Sequence, residues 1–174
     1  FETKTNNPKA VYEIPYGYIA KRADGLEESA QCWAAVEDGS QGLAILNNGK
    51  YAYDIKENEI RLTVLRSAVY AEAKYNMPYR DDLCEYQEQG AHTFKYIIKP
   101  YAGSFADANV VRRAWELNSP AIHVVETYHK GKLPQIFGGV EIDNENVILS
   151  ALKEAEAGDG VIVRLYECNG KGGP

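Results

Sequence analysis

An all-β, antiparallel sandwich with at most one short helix is what this sequence predicts, and three observations carry the prediction. Short runs rich in β-branched and aromatic residues recur at residues 43–46, 60–65, 93–98, 122–125 and 161–166, several alternating apolar with polar side chains as a half-buried strand does. Between them stand turn formers, chiefly Asn47-Asn48-Gly49 and Gly158-Asp159-Gly160, which tolerate the positive φ that tight reversals between antiparallel strands need. One segment, residues 107–118, combines helical apolar spacing with helix boundary residues.

The elements follow in order. Residues 33–67 open on Trp-Ala-Ala-Val and read as two strands joined by the Asn47-Asn48-Gly49 turn, the second strand being the run 60–65. Between Ala68 and Gln89 the texture breaks, and residues 75–82 mix turn formers, charges and aromatics without a period, which predicts a long loop. The run 93–98 restores a strand. Over residues 107–118 the period changes: Val110, Val111, Ala114 and Leu117 make a helical stripe, Asp107 is placed to cap it, and Asn118 precedes a stop at Pro120. Residues 122–125 read as strand again. At Lys130, Gly131 and Pro134 the composition turns polar and two chain-bending residues sit close together. This divides the chain into a larger sandwich, 1–130, and the start of a smaller, incomplete β unit, 131–174. Residues 150–157 have high helix propensity yet lead into the Gly158-Asp159-Gly160 reversal, so local signals leave helix and strand open there.

Composition narrows the function classes. At 174 residues, 45% hydrophobic and 25% charged, the chain can bury a core of its own, and no apolar run approaches the roughly eighteen residues of a membrane helix. A formal net charge of −6 and a pI near 5.2 would repel a polyanion, so neither a nucleic acid nor a membrane is expected as a partner. Cys32, Cys84 and Cys168 are odd in number and widely spaced, which predicts neither a disulfide framework nor a paired-cysteine zinc site and fits a reducing, cytoplasmic setting. The first seven residues are polar and do not make a secretory leader.

Obvious chemistry is sparse. His123, Glu126 and His129 place three metal-ligating types within seven residues, but on a strand the histidines face one way and the glutamate the other, so surface histidines on a sheet are expected and no metal site. Asp81 with Asp82, and Glu154 with Glu156, pair carboxylates as solvated surface does; a glycosidase sets its two carboxyls about 5–10 Å apart across a bond. No serine sits in a nucleophile elbow, and residues 170–174 follow a strand without opening a helix, which excludes a phosphate cradle. No catalytic residue is assigned. The thirteen tyrosines are expected mainly in strands and cores, with Tyr51, Tyr53 and Tyr101 nearest loop or strand ends, where an aromatic face can meet a sugar ring.

Five motifs, in order, carry a resemblance over nearly the whole chain. They are Tyr12-Glu-Ile-Pro-Tyr-Gly-Tyr-Ile19; Trp33 to Ser67 with its Gly49-Lys-Tyr-Ala-Tyr-Asp54 and Leu65-Arg66; Gly90-Ala-His-Thr-Phe-Lys-Tyr96; Ala114-Trp-Glu-Leu-Asn-Ser-Pro120; and residues 147–167 about Gly158-Asp-Gly160. This order resembles the C-terminal β region of glycoside hydrolase family 38, the zinc-dependent α-mannosidases. The resemblance implies a supersandwich of galactose-mutarotase-like type and a strand over 150–157. It also implies a zinc ion and an aspartate nucleophile housed in an N-terminal catalytic domain, with no cofactor here. The implied partners are that catalytic domain and a mannose-containing oligosaccharide, with Arg66, Tyr51, Tyr53 and Asp54 as candidates to reach the shared cleft. The alternative expectation is an autonomous carbohydrate-binding module. Further strands are expected after Pro174, and the unpaired edge left without them predicts self-association of the chain alone.

Overall fold

Runs such as Trp-Ala-Ala-Val and Leu-Ala-Ile-Leu, apolar without interruption, suit strands covered on both faces, and that is the place they take. The computed structural model describes residues 1–68 and 86–172. Among these, the elements in chain order are β1 (Lys9–Ile14), β2 (Gly17–Lys21), β3 (Asp24–Ser29), β4 (Trp33–Glu37), β5 (Gln41–Asn47), β6 (Ala52–Lys56), β7 (Glu59–Thr63), β8 (Tyr96–Ala102), α1 (Val110–Asn118), β9 (Val147–Glu154) and β10 (Val161–Glu167). All strand pairs are antiparallel. The expected all-β sandwich with one short helix is borne out.

A five-stranded sheet, β2-β1-β4-β5-β8, lies at the centre, beside a three-stranded sheet, β3-β6-β7, and the hairpin β10-β9. The two-residue period of the central strands sorts their side chains between two cores. Ala10 and Tyr12, Ala34 and Val36, and Leu43 and Ile45 face Tyr53, Ile55 and Ile60 of the small sheet. Val11, Trp33, Ala35, Ala44 and Leu46 face the other way, against Phe105, the α1 residues Val110, Val111 and Ala114, and Ile148 and Cys168 at the hairpin. Ala35 and Ala44 are small enough to let the helix approach. Trp33 is fully buried and stacks on Phe105 with ring centroids 5.0 Å apart.

Residues 33–67 thus hold four strands in two sheets, where two strands about one turn were expected. The reversal between β4 and β5 is Asp38-Gly39-Ser40, with Gly39 at φ 88 and the Asp38 carboxylate accepting the amides of Asn6, Ser40 and Gln41 at 2.8, 2.9 and 3.0 Å. Asn47-Asn48-Gly49 carries the chain from the central sheet to the small one, for β5 pairs with β4 and β8 and β6 pairs with β3 and β7. Positive-φ propensity marks a sharp change of direction but not which strand lies on the far side.

The strand expected at 93–98 begins at Tyr96 and runs on to Ala102, through Pro100, which an edge strand accommodates. Helix α1 also departs from expectation at its start. Asp107 does not cap it: its carboxylate is engaged by Ser104 Oγ at 2.7 Å and Lys171 Nζ at 3.0 Å, and the cap position falls to Asn109, left-handed at φ 53 with no side-chain bond. Residues 150–154 are strand, as the resemblance implied, and β9 meets β10 with Val161 opposite Glu154. Residues 122–125 are not strand. Ile122, Val124 and Val125 are 92%, 80% and 99% exposed, for β-branched composition makes a strand only where an edge is offered. Of the loop expected between 68 and 89, residues 69–85, with Cys84, Asp81 and Asp82, lie outside the described residues. No helix among the described residues is long and apolar enough to cross a membrane.

Gly42 has room for no side chain, since a Cβ there would lie 2.5 Å from the ring of Tyr101. That tyrosine donates from its hydroxyl to buried Glu37 at 2.9 Å, and the same carboxylate oxygen accepts the Phe105 amide at 2.9 Å. Gly42→Val is therefore expected to displace Tyr101, strand Glu37 and cost about 2–3 kcal/mol, measured as a lower urea midpoint at unchanged slope.

Candidate functional site

At the end of the central sheet where β1 finishes and β4 begins, a carboxylate sits among apolar strands. Glu13 shares the face of Val11 on β1 and is only 6% exposed. Its Oε2 accepts the Cys32 amide, and the Trp33 amide and indole N–H lie close enough to favour its charge, although the indole N–H makes no hydrogen bond of good geometry. Burial is the stronger influence and raises the Glu13 carboxyl above its usual range. Burial, reinforced by the Glu13 charge, pushes the Cys32 thiol up to about 12.

Glu13 lies between two adjoining clefts. The larger, about 540 Å³, is walled by Pro15, Ser29, Gln31, Cys32 and Tyr51. The smaller, about 190 Å³, shares Glu13, Pro15 and Gln31 and adds Tyr16, Trp115 and Tyr166. The aromatic wall is fixed by its own contacts. Trp115 Nε1 donates to the Tyr166 hydroxyl at 2.8 Å, Tyr16 meets the Tyr166 ring edge-on at 5.6 Å, and Arg164 Nη1 donates to the Tyr16 hydroxyl at 3.2 Å. At the opposite rim, Ala30 donates its amide to the Tyr51 carbonyl at 2.9 Å, while the Asn47 side chain accepts the amides of Gly49 and Lys50.

Of the four residues picked out in the sequence as cleft candidates, one lines this site. Tyr51 stands at the rim, 60% exposed. Tyr53, two residues on and within β6, is fully buried, its hydroxyl accepting Asn47 Nδ2 at 2.6 Å. Asp54 turns to the other face of β6 and pairs with Arg61 at 3.1 Å. Arg66 is exposed beyond the end of β7. Tyr101 covers Gly42 as described. Glu13 itself was missed, although a lone acid inside Val-Tyr-Glu-Ile is the kind of interruption that marks a buried polar group.

The other expected features stay apart. His123, Glu126 and His129 lie exposed in a stretch without strand pairing, so the sheet expected to carry them is not there. Among the described residues, no three His, Cys, Asp or Glu side chains are placed to hold a metal ion. Glu156 pairs with Lys153 at 2.8 Å on the surface. At the C-terminal glycines, Glu167 already accepts the amides of Asn169, Gly170 and Lys171 at 2.9, 2.8 and 3.2 Å, so that turn presents a filled carboxylate nest.

Two stretches of the sequence match models of one family. Residues 1–82 match the Glycosyl hydrolases family 38 C-terminal domain, and residues 146–174 match the Glycosyl hydrolases family 38 C-terminal beta sandwich domain. The chain is 28% identical over 182 residues to Alpha-mannosidase 2C1 of Mus musculus, covering 98% of this chain and 16% of that protein. It is 29% identical to Alpha-mannosidase G of Dictyostelium discoideum over 92% of this chain and 14% of the relative, and 29% identical to the Alpha-mannosidase of Saccharomyces cerevisiae over 97% and 15%. The chain therefore spans about a sixth or less of the length of the curated relatives it matches.

Two outcomes follow from the Glu13–Cys32 contact. Cys32 is expected to react with iodoacetamide near pH 8 at least about tenfold more slowly than a free cysteine, and Glu13→Gln should speed it, as read by peptide mass spectrometry. The folded state binds the Glu13 proton more tightly than the unfolded chain, so the stability from this group is full below the unfolded carboxyl range and is lost as pH rises through the raised folded value. Glu13→Gln should accordingly gain on the parent chain in urea unfolding as pH rises above the ordinary carboxyl range.

Proposed function

We propose, for a chain that belongs to the C-terminal region of glycosyl hydrolase family 38, that it is the supporting β region of an α-mannosidase. The reacting groups of that enzyme, in this reading, stand on the upstream part of the same polypeptide. The observation that carries the proposal is the lopsided coverage: relatives named as α-mannosidases match up to 98% of this chain, yet the chain spans 16% or less of them. The whole enzyme would remove terminal α-mannose from oligosaccharides with retention of configuration, using a zinc ion. The described residues here do not fit such an ion, because no three donor side chains converge, and we derive no step through it.

The segment between α1 and β9 is the surface that suits the catalytic domain as partner. Ile122, Val124, Val125, Tyr128, Ile136 and Phe137 are each at least 80% exposed, more apolar surface than an isolated domain ordinarily leaves in water. Burying each such side chain contributes about 1.5–3 kcal/mol. Arg66, exposed beyond β7, is the residue whose guanidinium we assign to the shared cleft, where it can donate to a sugar oxygen or fix a carboxylate. Free thiols at Cys32 and Cys168 support a reducing, cytoplasmic setting.

Incubated with an aryl α-mannoside and added zinc, the chain alone is expected to release no aryl alcohol; zinc-dependent turnover would move the chemistry onto these residues. The double substitution V125D/F137D should leave the unfolding free energy of the chain within about 0.5 kcal/mol. It should also abolish co-purification with the co-expressed upstream part, and retained assembly would put the interface elsewhere.

A further inference from the structure

We propose that the paired cleft around Glu13 is a binding subsite for a neutral pyranose. Its chemistry selects the ligand class. The named lining offers one carboxylate and the neutral polar side chains of Ser29 and Gln31, with no lysine or arginine, so an anionic ligand is disfavoured. Glu13 Oε2 holds the Cys32 amide, while Oε1 has no hydrogen bond among the described residues. Protonated or ionised, this carboxyl group can hydrogen-bond to sugar hydroxyls, the ionised form more strongly.

The walls supply the second half of sugar recognition. Tyr51 on one side and Tyr16 on the other are 60% and 57% exposed, so both offer ring surface to the C–H face of a pyranose, with Trp115 and Tyr166 behind Tyr16. The Tyr16 ring is braced by Tyr166 and Arg164, and the Tyr51 backbone is held by the Ala30 amide on its carbonyl. Preorganised aromatic walls limit the entropy lost on binding. At about 540 Å³ the larger cleft is within the usual range for small-ligand sites, about 300–1,000 Å³.

The test is calorimetry, paralleled by tryptophan fluorescence, of the full 174-residue chain against mannobiose, maltose and cellobiose, with glucosamine as a cationic comparison. The expected result is saturable binding of at least one neutral disaccharide with Kd on the order of 1 mM, weakened at least about tenfold by Glu13→Gln and by Tyr51→Ala. Near-UV circular dichroism checks that each variant is folded. Tyr51→Ala, at an exposed rim position, decides the matter if Glu13→Gln does not fold. No saturable binding, binding that Tyr51→Ala leaves unchanged, or binding of glucosamine alone would each overturn the proposal. None of these results depends on mannosidase turnover, so failure here and failure of the mannosidase reading are distinguishable.

Discussion

The side chain of Asn47 is the joint on which the layers of this chain depend. It is 1% exposed, at the point where β5 leaves the central sheet, and its carboxamide is fully used. The oxygen accepts the amides of Gly49 and Lys50, which shapes the crossing to β6. The nitrogen donates to the Tyr53 hydroxyl inside the core and to the Gln31 carbonyl beside the Glu13 cleft. The backbone of the same residue donates to Cys32 at 2.8 Å and accepts Asn118 Nδ2 from the end of α1 at 2.8 Å. Both sheets, the helix and the cleft rim are therefore tied together through one buried residue, and such a network is strong only while every member is satisfied.

Around that joint, packing is governed by a central sheet with no solvent face in its middle. Strands β1, β4 and β5 send alternate residues to two different cores, which is why residues 10–12, 33–36 and 43–46 are apolar on both faces. The identity of these strands was legible for the same reason that their neighbours were not. A run such as Leu-Ala-Ile-Leu announces a buried strand, but pairing is decided by which sheet covers which face, and no local residue encodes that. Asn47-Asn48-Gly49 shows the point: its turn chemistry is plain in the sequence, whereas its use as a crossing between sheets depends on Tyr53 and Gln31 being there to receive the side chain.

Other features were hidden by tertiary competition. Asp107 has the composition of a cap, yet Ser104 and Lys171 claim its carboxylate, and Lys171 arrives from a distant part of the chain. Residues 122–125 have the composition of a strand, yet no edge receives them. Residues 151–154 have the composition of a helix, yet β10 pairs with them, and here the family resemblance is the better guide. Among the candidate site residues, Tyr51 and Tyr53 differ by two positions and separate into rim and core because one precedes β6 and the other lies within it. Glu13 escaped notice because a single acid in a strand carries no motif; only burial reveals that it is unusual.

Divided allegiance in β4 has a consequence for how this domain can change over evolutionary time. Trp33 and Ala35 belong to one core, Ala34 and Val36 to the other. Exchanging any of them for a side chain of similar volume disturbs a single interior, whereas gaining or losing one residue would invert every side chain in the strand and spoil both interiors together. Lineages carrying this domain are therefore free to drift in spelling along β4 but not in its count, and length variation is pushed outward, into the connections.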